Sequence, residues 1–139
     1  MIRNLLILCA VFAAGWSAQA QELLLSAEGA SGYPCQLAYE LQHEDGRVIQ
    51  QGFVELTSAK DQAVVAVKLP TRFAVLVYED RNRNEKLDRG YLTQPLELYG
   101  FSNDAWSPLS KPSVDDMLVP SAGEKTSVHL VLRSVGTFK

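Results

Sequence analysis

Apolar and polar residues alternate along several short segments of the chain. The clearest case is 35–42, where every second residue from Cys35 to Leu41 is apolar and the residues between them are mostly polar. A period of two predicts a β-strand with one buried face. The same pattern, less regular in places, predicts seven strands, at 22–27, 35–42, 48–56, 62–69, 72–79, 117–119 and 126–133.

The most hydrophobic of these segments is 72–79, which carries apolar residues on both faces. Apolar residues on both faces predict a central strand that is covered on each side. No segment has a convincing helical period. Seven short strands separated by turn residues predict an all-β, antiparallel β-sandwich of the immunoglobulin or transthyretin-like kind, and a small barrel is the alternative.

The first 20 residues have the pattern of an export signal. A short basic start at Arg3 is followed by an apolar run at 5–14, and Ala18-Gln19-Ala20 supplies a small-x-small cleavage pattern. The apolar run is shorter than the ~20 residues that span a bilayer. We therefore expect cleavage after Ala20, a single domain at 21–139, no membrane span after cleavage, and a periplasmic or secreted location.

Net charge and the number of cysteines and histidines argue against several classes of function. The 139-residue chain has a net charge of −3 and no clustered basic face, which disfavours a nucleic-acid partner. Cys9 falls in the predicted signal, so Cys35 is the one cysteine left and an intrachain disulfide is excluded. Its position on the apolar face of a strand predicts a buried thiol. His43 and His129 are isolated in sequence, which disfavours a zinc site.

The segment 80–113 does not fit the strand pattern. It has little periodicity, and loops longer than ~12–15 residues without secondary structure are uncommon unless they are functional or disordered. Its apolar and aromatic content is too high for a disordered segment. We therefore expect one long structured loop, held by interactions that the alternation pattern does not reveal.

The start of this segment places oxygen-bearing side chains at regular spacing. Asp80, Asn82, Asn84 and Asp88 occupy the first, third, fifth and ninth positions of a loop, and the backbone carbonyl of Lys86 lies at the seventh. Calcium takes 6–8 oxygen ligands from carboxylates, amides, backbone carbonyls and water. The spacing therefore predicts a calcium-organised loop.

Two positions depart from the usual helix–loop–helix calcium site. Glu85 stands at the sixth position, where the turn favours glycine and another residue costs roughly 1–2 kcal/mol. Tyr91 stands at the twelfth position, where a bidentate Glu is usual. Glu97 could add a carboxylate from further along the chain. With acids and bases balanced nearby, we expect weak binding, about 10⁻⁴–10⁻³ M. A metal-free turn held by Asp and Asn side chains is the alternative.

Three motifs in order carry a family resemblance: F-A-V-L-V-Y-E-D-R-N-R-N-E-K-L-D at 73–88, Y-G-F-S-N at 99–103 and K-P-S-V-D-D at 111–116. With them the chain resembles an exported bacterial family catalogued as a domain of unknown function, number twenty-one forty-one. The resemblance implies an exported, compact β-sandwich with no established activity. It also implies a cation at the Asp/Asn positions, although Glu85 replaces the family's glycine. The family gives the G-F-S-N motif no agreed role. We expect Ser102 and Asn103 to brace the loop together with Glu97, Asn103 by a hydrogen bond to its backbone.

These observations favour a non-catalytic exported module with a candidate surface for a protein or glycan partner. The aromatic residues of the long segment would form this surface, because aromatic side chains are enriched at interfaces. They are Tyr91, Tyr99, Phe101 and Trp106. The alternatives are a hydrolase that uses loop carboxylates and a carrier of small apolar ligands.

Overall fold

The computed structural model describes residues 21–86, 97–107 and 110–134, so the predicted signal segment lies outside the described residues. Eight strands, one 3₁₀ turn and one short helix follow each other along these ranges. They are β1 (Gln21–Glu28), β2 (Cys35–Gln42), β3 (Val48–Leu56), β4 (Ala63–Val67), β5 (Arg72–Glu79), β6 (Tyr99–Phe101), the 3₁₀ turn (Ser102–Asp104), α1 (Val114–Met117), β7 (Val119–Pro120) and β8 (Lys125–Val131).

The strands form two sheets, which confirms the predicted all-β sandwich. The first sheet has the order β4-β1-β8, and the second has the order β3-β2-β5-β6, with β7 also paired to β5. All pairs are antiparallel except β1 with β8, which are parallel. The number of strands is eight rather than seven because the three-residue strand β6 was not predicted.

The core lies between the inward faces of the two sheets. Leu23 and Leu25 of β1 face Leu37 and Leu41 of β2 across this layer, and all four are fully buried. Full burial of a leucine side chain is worth roughly 1.5–3 kcal/mol relative to an exposed one. Cys35 joins this cluster as a buried free thiol, which confirms the prediction for it.

Strand β5 is covered on both faces, as its sequence predicts. Val75 faces the main core, whereas Ala74 belongs to a second cluster on the outer face of the sheet, with Phe101, Ala105 and Met117. Ala105 and Met117 of this cluster come from the segment 102–118, which we call the excursion and of which residues 108–109 lie outside the described residues. Within the described ranges, no helix is long and apolar enough to span a membrane.

The excursion interrupts a single edge strand. Strand β6 pairs with Leu76–Tyr78 of β5, and β7 pairs with Arg72–Phe73 further along the same edge in the same antiparallel direction. The chain therefore leaves the edge of β5 after β6, covers the outer face of the sheet, and returns to the edge as β7.

The expectation of no helix is wrong for a short part of the excursion. The helix α1 has one turn, too short to produce a helical period in the sequence. It forms because Ser113 is its N-cap, with a side chain that accepts a hydrogen bond from the backbone N–H of Asp116. Asp115 and Asp116 lie in its first turn, where negative charge is favoured by the helix dipole.

Candidate functional site

The predicted metal loop, which we call the Asp80 loop (residues 80–88), begins directly after β5. The backbone N–H of Asp80 donates to the carbonyl of Gln36 in β2 at 2.9 Å, so its position is fixed by the sheet. Its side chain is only 1% exposed. One carboxylate oxygen accepts the N–H of Asn84 at 3.2 Å, and the other accepts the N–H of Glu85 at 2.7 Å. The chain therefore curls around this carboxylate.

The next two predicted ligands repeat this local pattern. The side-chain oxygen of Asn82 accepts the N–H of Asn84 at 3.2 Å, and that of Asn84 accepts the N–H of Lys86 at 2.9 Å. Asp and Asn commonly close such turns with the backbone two residues on. The side-chain oxygens of the first, third and fifth positions all turn towards the backbone of the same loop. Asp88 lies outside the described residues.

Glu85 has the backbone conformation that the sixth position of the loop needs. Its φ is 62°, and Arg83 also has a positive φ of 55°. For residues other than glycine, this left-handed region costs roughly 1–2 kcal/mol. The loop therefore keeps its turn around Asp80 although the positive φ angles of Arg83 and Glu85 are unfavourable for the backbone.

Arg83 ties the Asp80 loop to the outer face of the second sheet. Its guanidinium donates to the side chain of Gln36 at 2.9 Å and to Glu55 at 2.7 Å. Gln36 and Glu55 are cross-strand partners in β2 and β3, so a single side chain crosses two strands. Because Arg83 and Glu55 are both half-exposed, the ion pair is worth at most about 1 kcal/mol.

Two further buried carboxylates flank Asp80. Glu79 is 2% exposed, accepts the backbone N–H of Ser31 at 2.9 Å, and is also hydrogen-bonded to the Ser31 hydroxyl. Glu97 is 4% exposed and accepts the N–H of Arg81 at 2.9 Å, so it contacts the backbone of the Asp80 loop. Glu79 was not among the predicted site residues. The signal for it was present, because it continues the inward-facing alternation of β5.

A half-open cavity of about 290 Å³ lies beside these carboxylates. Its lining includes Ser31, Cys35, Glu79, Asp80 and Arg83. Burial, and then the nearby charge of Glu79, raise the pKa of the Cys35 thiol above its usual range. The thiol therefore stays protonated near neutral pH, and thiolate chemistry is disfavoured in this cavity.

The G-F-S-N motif holds the excursion against the sheet. Ser102 is fully buried; its hydroxyl accepts the N–H of Val75 at 2.8 Å and donates to the carbonyl of Met117 at 2.6 Å. Val75 lies on the edge of β5 between the residues paired with β6 and those paired with β7. The serine hydroxyl therefore replaces a strand partner at the point where the edge strand is interrupted.

The residues on either side of Ser102 have equally specific roles. Asn103 has a φ of 59°, a conformation that Asn tolerates well, and its side chain donates to the carbonyl of Asp116 at 3.0 Å. A Cβ on Gly100 would lie 2.6 Å from the carbonyl oxygen of Val131. In this motif, Gly100 allows a close approach to the backbone of Val131, and Ser102 replaces a strand partner of β5. Asn103 adds a hydrogen bond between two parts of the excursion.

The aromatic residues of the candidate partner surface pack on one another. The rings of Tyr99 and Trp106 are stacked with centroids 4.9 Å apart, and the guanidinium of Arg133 lies 5.4 Å from the Trp106 ring. Phe101 is 7% exposed, so it belongs to the second cluster more than to the surface. Burial raises the pKa of the Tyr99 hydroxyl. Tyr91 lies outside the described residues.

The donor set of the Asp80 loop consists of oxygen atoms only, which fits a hard cation such as calcium. In the described part of the chain, no group of three or more His, Cys, Asp or Glu side chains is arranged to hold a metal ion. The predicted set relies instead on amide and backbone oxygens beside Asp80. The residues present are therefore compatible with calcium and offer no soft ligand for zinc or copper.

These contacts define the class of the protein as a two-sheet β-sandwich in which one edge strand is interrupted by an excursion anchored by side chains. The chain belongs to the bacterial family described as an uncharacterized protein conserved in bacteria (DUF2141), whose model matches residues 35–129. The match covers the Asp80 loop and the G-F-S-N motif. A search of curated proteins and a search of solved structures each give no match.

Proposed function

We propose that this protein is an exported, non-catalytic β-sandwich module whose Asp80 loop is organised by a weakly bound calcium ion. The aromatic residues of the long segment that begins with this loop would present a binding surface to a protein or glycan partner. The basic, apolar and small-residue pattern of the first 20 residues supports export. The observation that carries the calcium proposal is the buried carboxylate of Asp80 at the base of the loop.

A buried carboxylate is costly unless it is paired, hydrogen-bonded or bound to a metal ion. The two backbone N–H groups that reach Asp80 occupy two of its approximately four lone-pair sites. No ion pair involves Asp80 among the described residues. A bound cation would use the remaining acceptor capacity and offset the cost of burying this charge.

The proposed binding surface is the exposed part of Tyr99 and Trp106. Ser102 and Asn103 fix the backbone between these two aromatic residues, so little conformational entropy would be lost when a partner binds. Arg133 adds a cation at the edge of the same surface, where it is paired with Asp104 at 3.0 Å. Aromatic residues and arginine are the residue types that most often dominate binding energy.

Thermal unfolding of the mature protein tests the calcium proposal. The protein would be melted after chelator treatment, and again with calcium at about ten times the dissociation constant, where binding adds about 1.4 kcal/mol. For a domain of this size we expect the melting temperature to rise by about 5–8 °C. Magnesium should give a smaller shift, because it demands a stricter octahedral geometry.

Two aspartate variants make the test specific. Asp80→Asn keeps the shape of the side chain and removes its charge, so the calcium shift should disappear. Asp61→Asn is the matched control, because exposed Asp61 also accepts a backbone N–H at a turn, from Thr57 at 2.9 Å. The control should retain the full shift. Identical melting curves of the wild-type protein with calcium and with chelator would contradict the proposal.

A further inference from the structure

Three side chains on the outer face of the first sheet form a hydrogen-bonded chain. Ser26 of β1 is the cross-strand partner of His129 of β8, and Glu28 lies two residues further along β1 on the same face. The Ser26 hydroxyl oxygen is 2.8 Å from Nδ1 of His129, and Nε2 of His129 is 3.1 Å from a carboxylate oxygen of Glu28. Strand register alone therefore brings a hydroxyl, an imidazole and a carboxylate together.

The direction of each hydrogen bond follows from the chemistry of the groups. An ionised carboxylate only accepts hydrogen bonds, so Nε2 of His129 must carry the proton that it donates to Glu28. In the neutral ring, Nδ1 is then an acceptor, and the Ser26 hydroxyl must donate to it. Glu28 thus selects the tautomer that directs a base at Ser26. A nucleophile, a base and a group that orients the base are the signature of an activated nucleophile.

We propose that Ser26 is an acyl-acceptor site for activated carboxylic esters, with His129 as the base and Glu28 as a positioning residue. The Ser26 oxygen forms a bond to the carbonyl carbon of the ester, and the bond from that carbon to the leaving oxygen breaks. The Ser26 proton passes to Nδ1 of His129 and then to the leaving oxygen, so atoms and electrons balance without an oxidant or reductant.

The surroundings of Ser26 indicate a single acylation rather than turnover. The site lies on an open sheet face, where His129 and Glu28 are about half-exposed, so an ester can reach Ser26 from solvent. An open face neither excludes water nor orients the ester, and enzymes with high turnover depend on both. The proposal goes beyond the calcium-organised module and stands apart from it, because the Asp80 loop belongs to the other sheet.

The test compares two serines on the same sheet face. The mature protein would be incubated with p-nitrophenyl acetate, and acetylation of each serine would be followed by proteolysis and mass spectrometry. Ser127 is the internal control, because it is exposed on β8 and its cross-strand partner is Leu24 rather than a histidine. We expect Ser26 to be acetylated about 10²-fold faster than Ser127, the low end of the usual effect of a general base.

Three variants separate a reactive site from an ordinary polar pair. His129→Ala should lower the Ser26 rate to that of Ser127. Glu28→Gln should also lower it, because an amide can donate to Nε2 and favour the wrong tautomer, whereas Glu28→Asp should keep part of the rate. All three changes are on the surface and should leave the melting temperature nearly unchanged. Equal rates at Ser26 and Ser127, or an unchanged Ser26 rate in His129→Ala, would overturn the proposal.

Discussion

Replacement of Ser102 by alanine should destabilise the protein far more than the loss of one hydroxyl from its surface. In the fully buried wild-type side chain, the hydroxyl satisfies the N–H of Val75 at 2.8 Å and the carbonyl of Met117 at 2.6 Å. Alanine would leave both groups without this partner. Each unsatisfied buried group costs about 1–3 kcal/mol, and single substitutions seldom cost more than about 4 kcal/mol in total. We therefore expect a loss of about 2–4 kcal/mol in the free energy of unfolding.

Urea unfolding followed by tryptophan fluorescence measures this loss. The sequence contains two tryptophans, and Trp16 lies in the predicted signal, so Trp106 of the excursion would be the sole reporter in the mature protein. The midpoint should fall while the slope with urea stays constant, because the exposed surface on unfolding hardly changes. A loss of 2–4 kcal/mol corresponds to a fall of roughly 8–16 °C in the melting temperature.

Ser107→Ala is the matched control for this prediction. Among the residues that the structure describes, its hydroxyl is paired with that of Ser110, in an exposed hydrogen bond of 2.8 Å. Removal of an exposed bond of this kind should change stability by less than about 0.5 kcal/mol. If Ser102→Ala were no more destabilising than Ser107→Ala, the hydroxyl would not replace a strand partner of β5, and our explanation of the G-F-S-N motif would be refuted.

Three other predictions follow from the same structure. Glu85→Gly should raise the free energy of unfolding by about 0.5–1 kcal/mol, because relief of the positive φ outweighs the entropy of glycine in the unfolded chain. A variant less stable than wild type in urea unfolding would contradict this. Gly100→Ala should cost about 1–3 kcal/mol, because the new Cβ would meet the carbonyl oxygen of Val131 at 2.6 Å; an unchanged melting temperature would show that these strands separate freely. Burial and then Glu79 raise the thiol pKa of Cys35 in the folded state, so the unfolded chain ionises first. The contribution of this thiol to the free energy of unfolding should be constant below about pH 8.5 and decline above it. If the free energies of unfolding of wild type and Cys35→Ala changed in parallel with pH, this prediction would be wrong.

The pattern of apolar residues predicted several strands closely, because β2 has one strongly apolar face and β5 is apolar on both faces. The predicted bounds at 35–42, 48–56 and 72–79 are the bounds of β2, β3 and β5. Strand β6 escaped prediction because three residues are too few to show a period. Its position depends on distant partners, namely β5 and the bridge between Tyr99 and Arg133. The parallel pairing of β1 with β8 was also missed, because alternation carries no information about which strand is the neighbour.

The candidate site was predictable where it depends on local sequence. The spacing of Asp and Asn residues anticipates the way in which the Asp80 loop turns back on its own side chains. The contacts of Arg83 with Gln36 and Glu55 could not be foreseen, because they join residues of three separate segments. Likewise, Ser26 and His129 meet only because β1 and β8 are neighbours in one register. The spacing of residues in the sequence is enough to predict the side-chain contacts within one loop. A site formed by residues of neighbouring strands can be predicted only when the order of the strands in the sheet is known.

The most direct test of the calcium-organised loop is a high-resolution crystal structure of the mature protein grown with millimolar CaCl₂. We expect an ion within about 2.3–2.6 Å of the side-chain oxygens of Asp80, Asn82 and Asn84 and the carbonyl oxygen of Lys86. A well-ordered loop that keeps its side-chain to backbone hydrogen bonds around Asp80 and shows no ion density at that calcium concentration would contradict the account.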